Sequence, residues 1–322
     1  MKDFSLIENV RTVCKAVADR ATHVKINYDY IPSYASSLIP AQTISPELDS
    51  DSHYLHHGDD TAAFFLTLDT INFGSGYFPF LRKRPGMGGY FTIAHSLNDF
   101  YKNSGPLSAK ELTQLTVEEC TKIFGQEPDN RPILELMGLF TKALNDLGRY
   151  LLDSFNGSFT ELIKAADSSA ENLVQLLIKM PYFNDVEYYD NLEVPFYKRA
   201  QLTAADLSLA FNGQGLGHFD DLDSLTIFAD NLVPHVLRID KIIIYEETLC
   251  ARIEAGELIE SGSREEIEIR ACAVHAVELL KKELKESGNE VTSPELDYLL
   301  WNRGQKPYYK AIPRHRTRTV FY

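Results

Sequence analysis

Leu136-Met137-Gly138-Leu139-Phe140-Thr141-Lys142-Ala143-Leu144-Asn145-Asp146-Leu147-Gly148-Arg149-Tyr150-Leu151 sets the fold class. Its apolar residues Leu136, Phe140, Ala143, Leu144, Leu147 and Leu151 recur at the three-and-four spacing of one helix face. The pattern returns in Leu173, Leu176, Leu177 and Met180, which Pro181 stops, and near the start in Leu6, Val10, Val13 and Val17. Ile267 to Leu284 reads as a long helix with Ala271, Val274, Val277, Leu280 and Leu284 inward. Ser293-Pro294 reads as an N-cap with proline at the first helical position, opening Glu295–Trp301. For these stripes plain core packing is the reading.

Helix starts are signalled independently by Ser/Thr-x-x-Glu pairs at Ser108/Glu111, Thr116/Glu119, Ser158/Glu161, Ser168/Glu171 and Ser263/Glu266. In each, the hydroxyl would satisfy a first-turn N–H while the glutamate reaches back to the cap. Strand signals are few. Thr61–Asn72 is apolar but does not separate helix from strand, Phe73–Pro79 is turn-rich, and Tyr188–Val194 and Lys241–Tyr245 suit short extended pieces. The expectation is mainly α, a single globular domain over 1–322 with few short strands and an irregular region at about 25–60.

The 322 residues carry 32 Lys+Arg against 46 Asp+Glu, a net charge of −14. A field of that sign repels polyanions, so neither a nucleic-acid polymer nor an anionic membrane is an expected partner. Cys14, Cys120, Cys250 and Cys272 are widely spaced without a CxxC, which suits a reducing compartment rather than a disulfide framework or zinc ribbon. The N-terminus does not read as a signal peptide, and no apolar run approaches the ~20 residues of a membrane span. A soluble cytoplasmic protein is expected.

Four segments draw attention for chemistry. Gly213, Gly215 and Gly217 are spaced GxGxG, not GxGxxG. They read as a turn between a helix carrying Leu202, Ala205 and Leu209 and a second helix at Leu222–Phe228, a helix-hairpin-helix-like segment over about 202–240. Leu225-Thr226-Ile227-Phe228-Ala229-Asp230-Asn231-Leu232-Val233-Pro234 puts Asn231 at an N-cap and Asp230 just outside a helix N-terminus, where N–H groups favour a carboxylate. Asp230 is then either a cap or a fixed charge facing a developing cation. From Arg303 to Tyr322 there are six Lys/Arg and no acid, ending in apolar Val320-Phe321-Tyr322, which suggests docking. With Phe196-Tyr197-Lys198-Arg199 as a second basic-aromatic cluster, a phosphate site is reasonable, the alternative being a solvated tail and surface charge. His53, His56 and His57 crowd a loop with Asp49, Asp51, Asp59 and Asp60, but lack the spacing of a metal-binding helix; no metal is expected.

Several of these segments together resemble the queuosine salvage protein family: Phe196–Leu202, Leu225–Asn231 with Val233-Pro234, Arg264 through Ala271, Leu296–Trp301, Pro313–Tyr322, and earlier Leu68–Phe73 and Gly88–Phe91. The resemblance implies hydrolysis of the N-glycosidic bond of queuosine 5′-phosphate, releasing queuine and ribose 5-phosphate, on a mostly helical fold similar to helix-hairpin-helix DNA glycosylases. It implies Asp230 as the catalytic residue and Phe228, Asp297 and Tyr298 as contacts to the base. A base-contacting histidine from the irregular region is also implied: His53, with His56 the alternative. Asn302 stands where some members carry an acid. Lys198 is preferred for the 5′-phosphate, with Arg314, Arg316 and Arg318 as the other cations. No cofactor is expected.

Such a reaction is physically coherent. A carboxylate can stabilise an oxocarbenium-like sugar or capture it. Queuine, a 7-deazapurine, lacks the N7 lone pair an acid would protonate, so the leaving group depends on hydrogen bonds elsewhere and on stacking, for which Phe228 is suited. The competing readings are a non-catalytic queuine-binding protein and a DNA-glycosylase-like repair enzyme. A carrier would bind nucleotide without releasing ribose 5-phosphate, and a repair enzyme would bind duplexes with steep salt dependence.

Overall fold

The computed structural model describes residues 5–38 and 47–322. Along them run α1 (Leu6–Ala18), β1 (Val24–Ile26), α2 (Ile31–Leu38), α3 (Asp59–Thr70), α4 (Gly89–Ser104), α5 (Ala109–Gln114), α6 (Val117–Ile123) and α7 (Arg131–Ser154). Then follow α8 (Phe159–Lys164), α9 (Ala170–Leu177), β2 (Val186–Tyr189), β3 (Leu192–Pro195), α10 (Lys198–Ala210) and α11 (Val233–Ile239). The chain closes with β4 (Ile243–Tyr245), α12 (Glu247–Glu254), α13 (Arg264–Glu286), α14 (Ser293–Gly304) and α15 (Pro307–Lys310). The architecture is mainly α, as expected. It divides into two compact units interleaved in sequence. The first contains the described residues before position 47, Asp185–Lys198 and Asp223–Arg318; the second contains Glu47–Asn184, Arg199–Leu222 and Thr319–Tyr322.

The first unit is organised on α13, which is buried on nearly every face from Glu266 to Val277. Against it pack α1, through Ile7, Val10, Cys14 and Val17, and also α2, α11 and α14. Val10 and Val17 face inward as expected, while Ile7 and Cys14 take the places expected of Leu6 and Val13. Two small antiparallel pairs complete the unit. β1 pairs with β4, Val24 opposite Tyr245 and Ile26 opposite Ile243. β2 pairs with β3 in a hairpin whose turn uses Asp190 at φ +51°.

In the second unit α7 is the long central helix, and the stripe from Leu136 to Leu151 is its buried face, with α3, α5, α6 and α8 against it. The ambiguous Thr61–Asn72 stretch is the helix α3, buried at every residue from Thr61 to Thr70. A helix covered on all sides has no polar face, so its period does not show in sequence. Arg199 is buried as well, which sets aside the surface-charge alternative for this residue. It donates to the carbonyls of Asp69 (3.0 Å) and Thr70 at the end of α3 and lies over the rings of Phe73 and Phe183. It also donates to Val320 O at 2.7 Å, and Gly74 N–H donates to Tyr322 O at 3.0 Å, so the apolar end of the chain is docked.

Several helix signals differ from expectation. α9 is capped by Ser169, which accepts from Asn172 N–H, because Ser168 sits at φ +57°, outside cap geometry. α14 is capped by Thr292, whose hydroxyl and Glu295 form a reciprocal box, leaving Pro294 in the first turn but one place further in. The helix expected at Leu222–Phe228 is absent: a short 3-10 turn at Leu222–Ser224 is followed by irregular chain. The glycine turn before it is structural at Gly217, where a Cβ would lie 2.4 Å from Leu207 O of α10. Of the region expected to be irregular at 25–60, Val24–Leu38 is instead strand and helix, 47–58 is loop, and 39–46 lies outside the described residues.

Gly148 of α7 is what lets α5 approach. A Cβ there would lie 2.6 Å from Ala109 O and 2.8 Å from Thr113 N. Gly148→Ala should therefore lower stability by about 1–3 kcal/mol despite the better helix propensity of alanine. Chemical denaturation measures it; a stabilised variant would show that the two helices part freely.

Candidate active site

Residues 225–231 have neither helix nor strand, yet Leu225, Thr226, Ile227, Phe228, Ala229 and Asn231 are all buried. The helix bonds and ladders that normally satisfy peptide groups are missing here, so side chains supply partners. Arg11 of α1 donates to the carbonyls of Ser224 and Leu225 (3.2 Å to the latter). Phe228 N–H donates to Asp297 Oδ1 at 2.9 Å. Arg270 Nε donates to Ala229 O at 2.9 Å, and Asn231 Nδ2 donates to His315 O at 3.2 Å. The segment is thereby held at Phe228 and on either side of Asp230.

Asp230 follows directly. Its Oδ1 accepts from Leu232 N–H at 2.7 Å and Val233 N–H at 3.1 Å, the first donors of α11. The helix starts one residue later than the sequence suggested, with Leu232 rather than Asn231 at the cap. The carboxylate is half-buried, with its second oxygen outside those two bonds. Asp297, on α14, is buried. Burial first, and the nearby charge of Asp230 second, push its carboxyl well above the ordinary carboxylate range, while the Phe228 N–H and the Lys198 charge pull the other way. The two aspartates are thus in electrostatic contact, Asp230 at a helix start and Asp297 in the interior of the unit.

Lys198 is buried at the start of α10, its N–H donating to Asp185 Oδ2 at 3.1 Å. Arg314 is half-buried with Asp230 as the negative group acting on it, and burial lowers its pKa. Arg316 is committed elsewhere: its guanidinium donates to Gly256 O and its carbonyl accepts Ile259 N–H at 2.9 Å. Tyr298 is half-buried on α14. The structure therefore gathers Asp230, Phe228, Asp297 and Lys198 within the first unit.

His53 belongs to the second unit. It is buried, stacked on Phe65, with Nδ1 2.9 Å from Asp49 O and Nε2 2.9 Å from Tyr90 OH. The carbonyl requires Nδ1 to carry the proton, so Tyr90 donates to Nε2. Burial lowers its pKa. His56 is exposed, at φ +66°. Among the described residues no group of three or more His, Cys, Asp and Glu side chains is placed to hold a metal, and no helix is long and apolar enough to cross a membrane.

Sequence reasoning did not find Arg270 or Asp185 as individual residues. Arg270 is fully buried, its guanidinium nitrogens 3.0 and 2.5 Å from the two Asp185 oxygens, and 3.9 Å above the Phe196 ring. The available signal was an arginine inside the apolar run of α13.

A mainly helical chain with a carboxylate fixed beside a second, buried carboxyl fits a glycosidase. The family model described as queuosine salvage protein matches residues 52–322, and the chain belongs to that family. Relatives named queuosine 5′-phosphate N-glycosylase/hydrolase include that of Sphaerobacter thermophilus, 35% identical over 97% of this chain and 97% of its own. Those of Dictyostelium discoideum and Bos taurus are 33% and 31% identical, each over 97% of this chain and 98% of theirs.

Near the same cluster, Glu187 is half-buried beside Gly262. Burial first and the charge of Glu266 second push it up from 4.5 to about 7, with Arg270 opposing. The folded state then keeps a proton that the unfolded chain releases near pH 4.5. Stability from this group is full below that pH and is lost as pH rises through about 7. Glu187→Gln should therefore gain thermal stability relative to the parent on going from pH 5 to pH 8. An offset equal at both values would contradict the assignment.

Proposed function

We infer that this chain is a queuosine 5′-phosphate N-glycosylase/hydrolase, acting as one functional domain in the cytoplasm to release queuine and ribose 5-phosphate. The observation that carries the reading is the Phe228–Ala229–Asp230 segment, with Asp230 fixed by two N–H groups of α11 and Phe228 fixed by Asp297. The family and the names of its relatives support the reaction. The four free cysteines, three of them buried, suit a reducing compartment.

In this reading Asp230 faces the oxocarbenium-like sugar, its position already set by the helix start so that little reorganisation accompanies charge development. Phe228 stacks on the 7-deazapurine. Asp297 retains a proton more readily than an ordinary carboxyl, and a neutral carboxyl offers the base both an O–H donor and an acceptor. That substitutes for the N7 protonation the base does not allow. Tyr298 completes the base pocket. Lys198 reads the 5′-phosphate, with Arg314 the second cation near the carboxylates. The likeness to helix-hairpin-helix glycosylases belongs to the same proposal, supported by the order α10, glycine turn, α11. The substrate is a small nucleotide, and no nucleic-acid polymer is required.

Two outcomes test this. Asp230→Asn keeps the oxygen that accepts from Leu232 and Val233 but loses the charge, so the fold should persist while hydrolysis falls ~10²–10³-fold. Near-normal turnover by the folded variant would reduce Asp230 to a cap. Separately, the wild type should prefer queuosine 5′-phosphate strongly over queuosine. Lys198→Met should shrink that preference and Arg316→Met, whose guanidinium is held by Gly256 O, should not. Unchanged preference in Lys198→Met would remove it from the phosphate site.

A further inference from the structure

We propose that Arg270 and Asp185 are positioning residues for the reaction: their buried ion pair holds the Ala229 carbonyl and the Lys198 N–H, and so sets Asp230 and Lys198 against each other. This rests on the N-glycosylase reading above. Asp185 is the shared anchor. Its Oδ2 takes Arg270 at 2.5 Å and Lys198 N–H at 3.1 Å, and its backbone carbonyl takes Phe196 N–H at 2.9 Å and Tyr197 N–H at 3.3 Å. Tyr197 is held at φ +49°, a conformation rare for a side chain of that size, immediately before Lys198. On the other side, Arg270 Nε reaches Ala229 O, the one residue between Phe228 and Asp230.

Arg270 has no freedom to drift. It is 0% exposed and Asp185 1%, its fork is closed on both Asp185 oxygens, Glu266 lies 3.5 Å from Nη1, and Phe196 covers its face. Pairs of this kind add little to stability over apolar residues of similar volume, whereas removing one partner is costly. Their distinctive property is geometry. A guanidinium serves three acceptors in fixed directions, which an ammonium does not reproduce. Displacement of a reacting group by about 1 Å can cost ~10²-fold in rate.

The experiment compares kcat and KM for queuosine 5′-phosphate in the wild type, Arg270→Lys, and the double apolar variant Arg270→Met with Asp185→Leu, each checked for folding by circular dichroism and thermal melting. Positioning predicts that whichever variants fold lose about 10²-fold in kcat with KM within a few-fold. Folded variants with kcat within twofold of wild type would overturn it, as would a loss confined to KM. If the double variant does not fold, Arg270→Lys, which keeps the buried charge, decides on the same criterion; failure of both to fold would make the pair structural and overturn the proposal too. Wild-type protein that releases no queuine would overturn the functional reading itself, which an active wild type with active folded variants would not.

Discussion

A buried stretch of chain without helix or strand has to find a partner for each of its peptide groups, and residues 225–231 are such a stretch. Everything else about the site depends on how that requirement is met. Arg11, Asp297 and Arg270 supply the partners from three different helices, α1, α14 and α13. The backbone that carries Phe228 and Asp230 is therefore held by two guanidinium groups and one buried carboxyl, each reaching it from a distant part of the chain.

Helix α13 plays this part twice. Besides Arg270, it presents buried Glu268, whose Oε2 accepts the N–H groups of Thr22, His23 and Val24 at 3.0, 2.6 and 3.1 Å and whose Oε1 accepts Tyr189 OH at 2.8 Å. One carboxylate thus fixes the entry to β1, and one guanidinium fixes the loop before α11. Polar residues in the middle of the most buried helix would be unfavourable without such partners. With them, they tie irregular chain to the most rigid element of the unit.

The two aspartates stand in different surroundings. Asp230 is at a helix start, bonded by two N–H groups. Asp297 is inside the unit, with one N–H donor, and pays for burial and for its neighbour's charge by holding its proton more tightly. The same chemical group thus stands in two different environments, one at the start of α11 and one on α14, far apart in sequence.

Helical periodicity, a property of successive residues, was enough to read α7, α9 and α13 and the capping boxes at Ser108 and Thr116, because amphipathic faces and local caps involve neighbours in sequence. Motif resemblance likewise pointed to Asp230, Phe228 and Asp297. Local pattern failed where tertiary surroundings decide. α3 is buried all round and so shows no face, Ser168 lost the cap to Ser169 through its left-handed backbone, and Leu222–Phe228 is apolar without being helical because its peptide groups are taken by distant side chains. Arg199 and Arg270 read as surface or family residues and are buried, since only three-dimensional packing brings carbonyls and Asp185 to them. Sequence by itself determined the helical class and the family, and singled out the candidate residues of the site. The fold decided which charges are buried, what holds them and which carboxyl keeps its proton, because those depend on groups far apart in the chain.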